Sequence, residues 1–216
     1  MTDPSTPAPV APTPLAAPDR GPASISDRLP APPATGHRTR AELDAQLDHL
    51  RAAPADDGVL ELVVCRPALD QRRVLDVGVL SRAEGLVGDT WSQRPSRRTP
   101  DGGPHPDMQL NIMGTRVARL LAVSDERMPL AGDQLYVDLD LSAAALPAGT
   151  RLAIGTAVVE ITDQPHTGCA KFAERFGRDA LRFVNSPVGT ELRLRGVNAK
   201  VVVDGEVRAG DRVRRA

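Results

Sequence analysis

The chain has 216 residues, a formal net charge of −1 and two cysteines. That charge balance argues against a general nucleic-acid surface, and an aromatic content of 2% leaves little with which to stack single strands. Two cysteines are too few for a disulfide framework or a four-thiolate zinc site, and no apolar run approaches the roughly 18 residues of a membrane span.

The N-terminal stretch has no apolar segment of the secretory type, so the expectation is a cytoplasmic protein with reduced thiols. Ten of the 20 prolines fall within the first 40 residues, among Ala, Thr and Ser. Such a segment buries too little apolar surface to offset its ordering entropy, and residues 1–38 read as a disordered tail. Thr39-Arg40-Ala41-Glu42 fits a capping box. Leu43, Leu47 and Leu50 then recur at helical spacing, so a short helix is expected over 39–53. Beyond it lies enough chain for one cored domain, expected over 59–215.

Short β-like pieces follow. Val59–Cys65 (VLELVVC) is the first and Val74–Leu80 (VLDVGVL) the second. Gly85-Leu-Val-Gly-Asp89 is a bend. Ser92–Asp107 is polar and broken by Pro95, Pro100, Pro104 and Pro106; a loop of that length within a compact domain is functional or disordered. Met108–Ile112 and Val117–Val123 resume the apolar pattern. Gln134–Asp138, Arg151–Ile154 and Thr156–Thr162 (TAVVEIT) are further extended segments, and Thr190–Arg195 (TELRLR) alternates apolar with polar. Val197–Val203 precedes a hairpin-like end punctuated by Gly205 and Gly210. Many short strands with Gly/Pro turns, and only one or two helices, indicate a mostly-β barrel or sandwich.

Phosphate-loop, dinucleotide-binding, zinc-protease and serine-hydrolase motifs are absent. Asp138 and Asp140 share a face of an extended segment, but nothing nearby completes an acid–base site, which favours a solvated or capping role. His105 is a lone loop histidine. Arg94, Arg97 and Arg98 lie in the long loop. The informative run is Gln164-Pro-His-Thr-Gly-Cys169-Ala-Lys-Phe172. Pro165 ends the preceding strand, Thr167 is a suitable N-cap, and Cys169, Phe172, Ala173, Phe176, Ala180, Phe183 and Val184 form one helical stripe. This places Cys169 in the first turn of a helix, where the dipole favours a thiolate that can act as nucleophile or metal ligand. His166 and Lys171 would add positive charge. A cation at a helix start opposes the dipole, so Lys171 suggests a bound anion. On the same helix, Glu174–Arg178 and Arg175–Asp179 have the spacing of ion pairs. Packing as a small buried hydrophobe is the competing reading for Cys169. Cys65, at the end of an apolar strand, is expected to be buried and inert.

Taken together, Gly85–Asp89, Leu130-Ala-Gly-Asp-Gln-Leu135, Gly149–Gly155, Val159–Thr162, His166–Phe172, Arg195-Gly196 and Gly205–Asp211 resemble, in order and spacing, the MOSC domain found at the C-terminus of molybdenum-cofactor sulfurases. The likeness covers about Val59 to Arg215. It departs in having Gly168 where Pro is common before the cysteine, and Asp133-Gln134 where Glu-Asn is frequent. The resemblance implies a MOSC-like β-barrel with one or two peripheral helices. It also implies that Cys169 carries sulfur as a persulfide or ligates the metal of a molybdenum cofactor (molybdopterin), with Asp89, Asn111, Lys171 and Arg195 near the anionic cofactor. Pyridoxal phosphate would belong only to a partner cysteine desulfurase. The remaining expected partners are a redox protein and a small-molecule substrate. A different class of reading is a non-catalytic barrel module that holds a small anion or a protein.

Overall fold

In a computed structural model, residues 36–216 are described; most of the tail expected over 1–38 lies outside them. The capping box forms as its sequence predicts. The Glu42 amide donates to Thr39 Oγ1 (3.4 Å), and the Thr39 amide donates to Glu42 Oε2 (2.7 Å). The single helix expected over 39–53 is two short ones, α1 (Arg40–Asp44) and α2 (Leu47–Arg51), separated by a turn at Ala45-Gln46. Leu43 and Leu50 remain the buried positions.

The strands are β1 (Gly58–Cys65), β2 (Arg73–Val74), β3 (Val77–Ser81), β4 (Gly85–Leu86), β5 (Leu110–Gly114), β6 (Leu135–Asp138), β7 (Arg151–Ile154), β8 (Ala157–Ile161), β9 (Val197–Val203), β10 (Gly205–Arg208) and β11 (Arg212–Arg215). Seven of them close a barrel in the order β1-β11-β7-β8-β9-β5-β6 and back to β1. Every neighbouring pair in the barrel is antiparallel except β5–β6. That parallel pair requires a crossover, which the chain supplies with α3 (Thr115–Ala122) and a 3₁₀ segment over Asp125–Ala131. The Val117–Val123 apolar run is therefore helix, ended by Val123 at φ 69°. β10, β3 and β4 form a small separate sheet.

Alternation sets the barrel's two faces. Ala157, Val159 and Ile161 of β8, and Val197, Ala199 and Val201 of β9, point into a core shared with Leu60, Leu110, Leu152 and Val213. A second core lies outside the barrel wall. There Val64, Met113 and Tyr136 meet Leu43, Val117, Leu121, Phe172, Phe176 and Phe183. Residues on opposite faces of the same strands thus feed both cores, and the helices seal the second.

Helix content exceeds the one or two helices expected. α4 (Ala170–Phe176), α5 (Arg178–Val184) and α6 (Pro187–Glu191) follow one another. Helices this short are held by packing rather than propensity, so the sequence signals them weakly. The stripe from Cys169 to Val184 is interrupted at Gly177 (φ 91°), where a Cβ would lie 2.9 Å from His37. Thr190–Arg195 is not a strand. It is the end of α6 and a turn, in which Leu194 and Arg195 are both buried, so its alternation in sequence does not mark two faces. Ser186 caps α6 through the Gly189 amide, with Pro187 in the first turn; the Ser-Pro pair is the start signal. No helix among the described residues is long and apolar enough to cross a membrane.

Gly196 joins α6 to β9 at φ 99°, and a Cβ there would lie 2.3 Å from the Ile112 carbonyl oxygen. Gly210 has a similar φ of 96° but open space around it. Gly196→Ala is therefore expected to destabilise by more than about 1 kcal/mol in urea unfolding, and by clearly more than Gly210→Ala. Equal losses would contradict this account of the turn.

Candidate functional site

The site is built around Arg66, the residue that follows β1. Its guanidinium grips Asp89 through Nε–Oδ2 and Nη2–Oδ1, both 2.8 Å, and its amide also donates to Oδ2 at 2.9 Å. The remaining nitrogen, Nη1, donates to Asn111 Oδ1 (3.1 Å) and to the Gly132 carbonyl (3.0 Å). The pair is sealed from solvent. Asp89 also caps the 3₁₀ turn at Thr90–Gln93 by accepting from the Trp91 amide. Asn111 passes the network on, donating to Asn198 Oδ1 at 2.7 Å.

Arg66 and Asn111 form part of a cleft of about 500 Å³. The rest of its charged lining comes from Arg72, Arg94, Lys171, Arg175 and Arg195, with Asp70 at the edge. Cys169, Lys171, Arg195 and Asn111, four of the five residues singled out from sequence, thus meet in one place. Asp89, the fifth, stands behind the wall and aims Arg66.

Three carboxylates answer six cations in this wall. Asp89 pairs with Arg66, Asp133 with Arg195, and Asp70 with both Lys171 and Arg175. Neither Arg72 nor Arg94 has an ion pair with a carboxylate among the described residues. Arg72 donates to the Pro129 carbonyl and Arg94 to Thr90 Oγ1. Burial, with Arg175 and Arg66 adding to it, pushes the Arg72 guanidinium down to about 10. Burial and Arg66 push Arg94 down as well. Positive charge crowded in this way favours an anionic guest, whose binding relieves the repulsion. Gly132, at φ 89°, turns its open face towards these cations, with a Cβ position 3.4 Å from an Arg72 nitrogen and 3.9 Å from an Arg175 nitrogen.

Cys169 is exposed. It is the N-cap of α4, in extended conformation (φ −123°, ψ −178°), and its side chain makes no capping bond. The expectation placed Cys169 in the first turn with Thr167 as cap; the helix in fact begins two residues later. The approach to it is fixed from below. Asn185 bridges the Gly168 amide (2.9 Å) and carbonyl (3.1 Å), and a Cβ on Gly168 would lie 2.8 Å from Leu181. Burial as a small hydrophobe is thus not the role of Cys169. It is the role of Cys65, whose thiol donates to the Gly88 carbonyl (3.0 Å) and is pushed by burial up to about 11.

Other expectations change. The ion pairs expected along one helix do not form, because the Gly177 break turns α5 away from α4. Arg175 instead reaches Asp70 (2.8 Å), while Asp179 contacts Arg182 (3.6 Å) and accepts from the Arg40 amide. Lys171 pairs with Asp70 at 3.4 Å. His166 adds no positive charge, since burial, Arg195 and Arg66 hold it well below the usual imidazole range. Asp140 accepts from the Ser142 amide, a local capping role as favoured from sequence, whereas Asp138 forms a part-buried ion pair with Arg116. His105 accepts from the Asp107 amide. Among the described residues there is no cluster of three or more His, Cys, Asp or Glu that could hold a metal ion.

Arg66 and Arg72 escaped notice in the sequence, and no local pattern marks them. Each gains its meaning from partners tens of residues away. Asp89→Asn would leave the Arg66 guanidinium buried beside a neutral amide. Loss of one partner of a buried ion pair destabilises by about 3–5 kcal/mol, which chemical denaturation would register. A loss below about 1 kcal/mol would mean that the pair behaves as a solvated one.

Comparison with known proteins agrees with this architecture. Residues 115–214 match the family model of the MOSC domain. The YuaD protein from Bacillus subtilis shares the fold, with a TM-score of 0.51 and 18% identity over 72% of this chain and 93% of that one. YiiM from Escherichia coli aligns with a TM-score of 0.47 and 20% identity over 73% of this chain and 69% of that one. No curated protein matches. The segment that runs from α3 through the cysteine-bearing helices to β11 is a MOSC domain.

Proposed function

We propose that the protein binds a molybdenum cofactor in the Cys169 cleft and presents the Cys169 sulfur to it. MOSC domains are associated with that cofactor. The observation that carries the reading is the excess of guanidinium groups, Arg72 and Arg94 above all, around an exposed thiol. The fit is chemical. A pterin phosphate requires Arg or Lys donors, and molybdenum favours a soft thiolate ligand. When bound, the cofactor would supply oxygen-atom chemistry such as reduction of N-oxygenated substrates.

Each residue then has a task. Arg72 and Arg94 neutralise the phosphate. Arg66, aimed by Asp89, and Asn111 line the wall. Arg195 and Lys171 flank the sulfur end. The exposure of Cys169 also suits sulfur delivery by a cysteine desulfurase, which would bring its own pyridoxal phosphate. In that step the Cys169 thiolate attacks the terminal sulfur of the donor persulfide. The donor S–S bond breaks, and the donor cysteine leaves as thiolate.

Protein isolated from its native host should contain molybdenum and an oxidisable fluorescent pterin. Arg72→Ala/Arg94→Ala should lose both, and Cys169→Ser should retain more pterin than metal. Absence of both, together with no Cys169 persulfide when a cysteine desulfurase and cysteine are supplied, would leave the non-catalytic anion-binding module as the better description.

A further inference from the structure

His166 has no task in that reading, yet it sits in the cleft wall three residues before Cys169. Its side chain is 12% exposed, and its Nδ1 is sealed without a hydrogen-bond partner among the described residues. A buried nitrogen left in this state is uncommon and calls for an explanation. Asp133 Oδ1 lies 3.6 Å from it, just beyond hydrogen-bonding distance.

Asp133 itself is fully buried and bound to Arg195, with both carboxylate oxygens within 2.9 Å of Arg195 Nη1. Arg195 Nη2 goes to the Ala131 carbonyl at 2.9 Å, the guanidinium lies 5.0 Å from the Phe172 ring centre, and Nε is sealed without a partner. Imidazole, carboxylate and guanidinium are therefore packed together with two nitrogens, His166 Nδ1 and Arg195 Nε, unused. The wider surroundings of His166 are mainly cationic. Arg66 stands at the end of β1, Lys171 and Arg175 on α4, and Arg72 and Arg94 line the same cleft. A small cavity on the other side of His166 brings Arg193 and Asp163. Cys169 shares the cleft rim, and Asp70 answers Lys171 and Arg175.

We propose that His166 is the proton-handling residue of this cleft: when an anion fills it, the imidazole takes up a proton and donates Nδ1–H to Asp133. The proposal rests on the anion-binding reading above. The part of the cause that an anion can change is the field. With the cleft open, burial first, and then the guanidiniums of Arg195 and Arg66, keep the imidazole neutral. An anion seated among those cations cancels part of the field, so the charged imidazole is no longer opposed, and Asp133 is already in place to receive it. By linkage, the anion must bind more tightly where His166 can be protonated. The sign is fixed. Affinity rises as pH falls from the value at which the filled-cleft imidazole titrates to the lower value at which the open-cleft imidazole titrates, and it is flat outside that window. Each unit by which the anion raises the titration of His166 corresponds to about a tenfold change in affinity across the window.

The test uses the full chain and sulfate, a dianion that does not itself titrate near neutrality. The chain has four histidines, so His166→Gln identifies the His166 imidazole proton signal by NMR. Saturating sulfate should raise the titration of His166 by about one unit over sodium chloride at equal ionic strength. Sulfate affinity should be higher at a pH between the two titration points so measured than at pH 8, and that difference should vanish in His166→Gln. If sulfate binds, with its affinity reduced by Arg94→Gln, while His166 titrates unchanged, the proposal is overturned and the anion site stands. If sulfate at 100 mM perturbs no cleft residue, the anion reading and this proposal fall together. Should His166→Gln fail to fold, His166→Asn serves for assignment, and the wild-type titration alone decides.

Discussion

Everything at this site leans on one buried ion pair. Arg66 and Asp89 are 23 residues apart in sequence and sealed from water in the fold. A buried charge pair is tolerable only when its other polar atoms are also satisfied, and here they are. The Arg66 fork takes Asp89, Asn111 Oδ1 and the Gly132 carbonyl, while Asp89 also takes the Trp91 amide. The end of β1, the bend after β4, the start of β5 and the turn ahead of β6 are thereby pinned to one guanidinium. The same group supplies part of the positive field that disfavours the charged forms of Arg72, Arg94 and His166. One interaction thus fixes the shape of the cleft and contributes to its electrostatic demand.

The barrel supplies the rigidity that this crowding requires. Repulsion among six cations would spread apart a loop-built pocket. Here Arg66 follows β1, Asn111 lies in β5, and Arg195 is set by the Gly196 turn that enters β9, all neighbours of a closed sheet. α4 adds Lys171 and Arg175, with Cys169 as its cap. α4 is in turn held by Phe172 and Phe176 in the outer core and by the His37 ring nitrogen within 3.1 Å of the Arg175 carbonyl. Capping, packing and ion pairing therefore converge on the position of the thiol.

Much of the barrel was legible because alternation is a local signal. VLELVVC, QLYVD and TAVVEIT declare their faces within five to seven residues, and the structure places strands in each. The short helices were less so. The end of α6 and the turn after it carry the alternation of a strand, and only Ser186-Pro187 betrays the helix. The break at Gly177 depends on His37 packing there from 140 residues away, a contact that no periodicity encodes. The cleft was half legible. Cys169 and Lys171 announce themselves at a helix start. Arg66 and Arg72 look like ordinary surface arginines until β1, the bend at Asp89 and the loop before β6 come together. His166 was misread as a charge, because its neutrality is imposed by burial and then by Arg195 and Arg66, neither of them close in sequence.

The central claim is that Cys169 is an accessible thiol inside an electropositive, anion-seeking cleft, and its reactivity reads this directly. Alkylation rates with neutral iodoacetamide and anionic iodoacetate should be measured for Cys169 in the Cys65→Ser background, at several salt concentrations. The account predicts an iodoacetate-to-iodoacetamide rate ratio well above that of free cysteine. The ratio should fall towards the free-cysteine value in Arg72→Gln/Arg94→Gln, and in 1 M salt, where the screening length shrinks to about 3 Å. A ratio equal to that of free cysteine, and indifferent to both the arginine changes and salt, would contradict it.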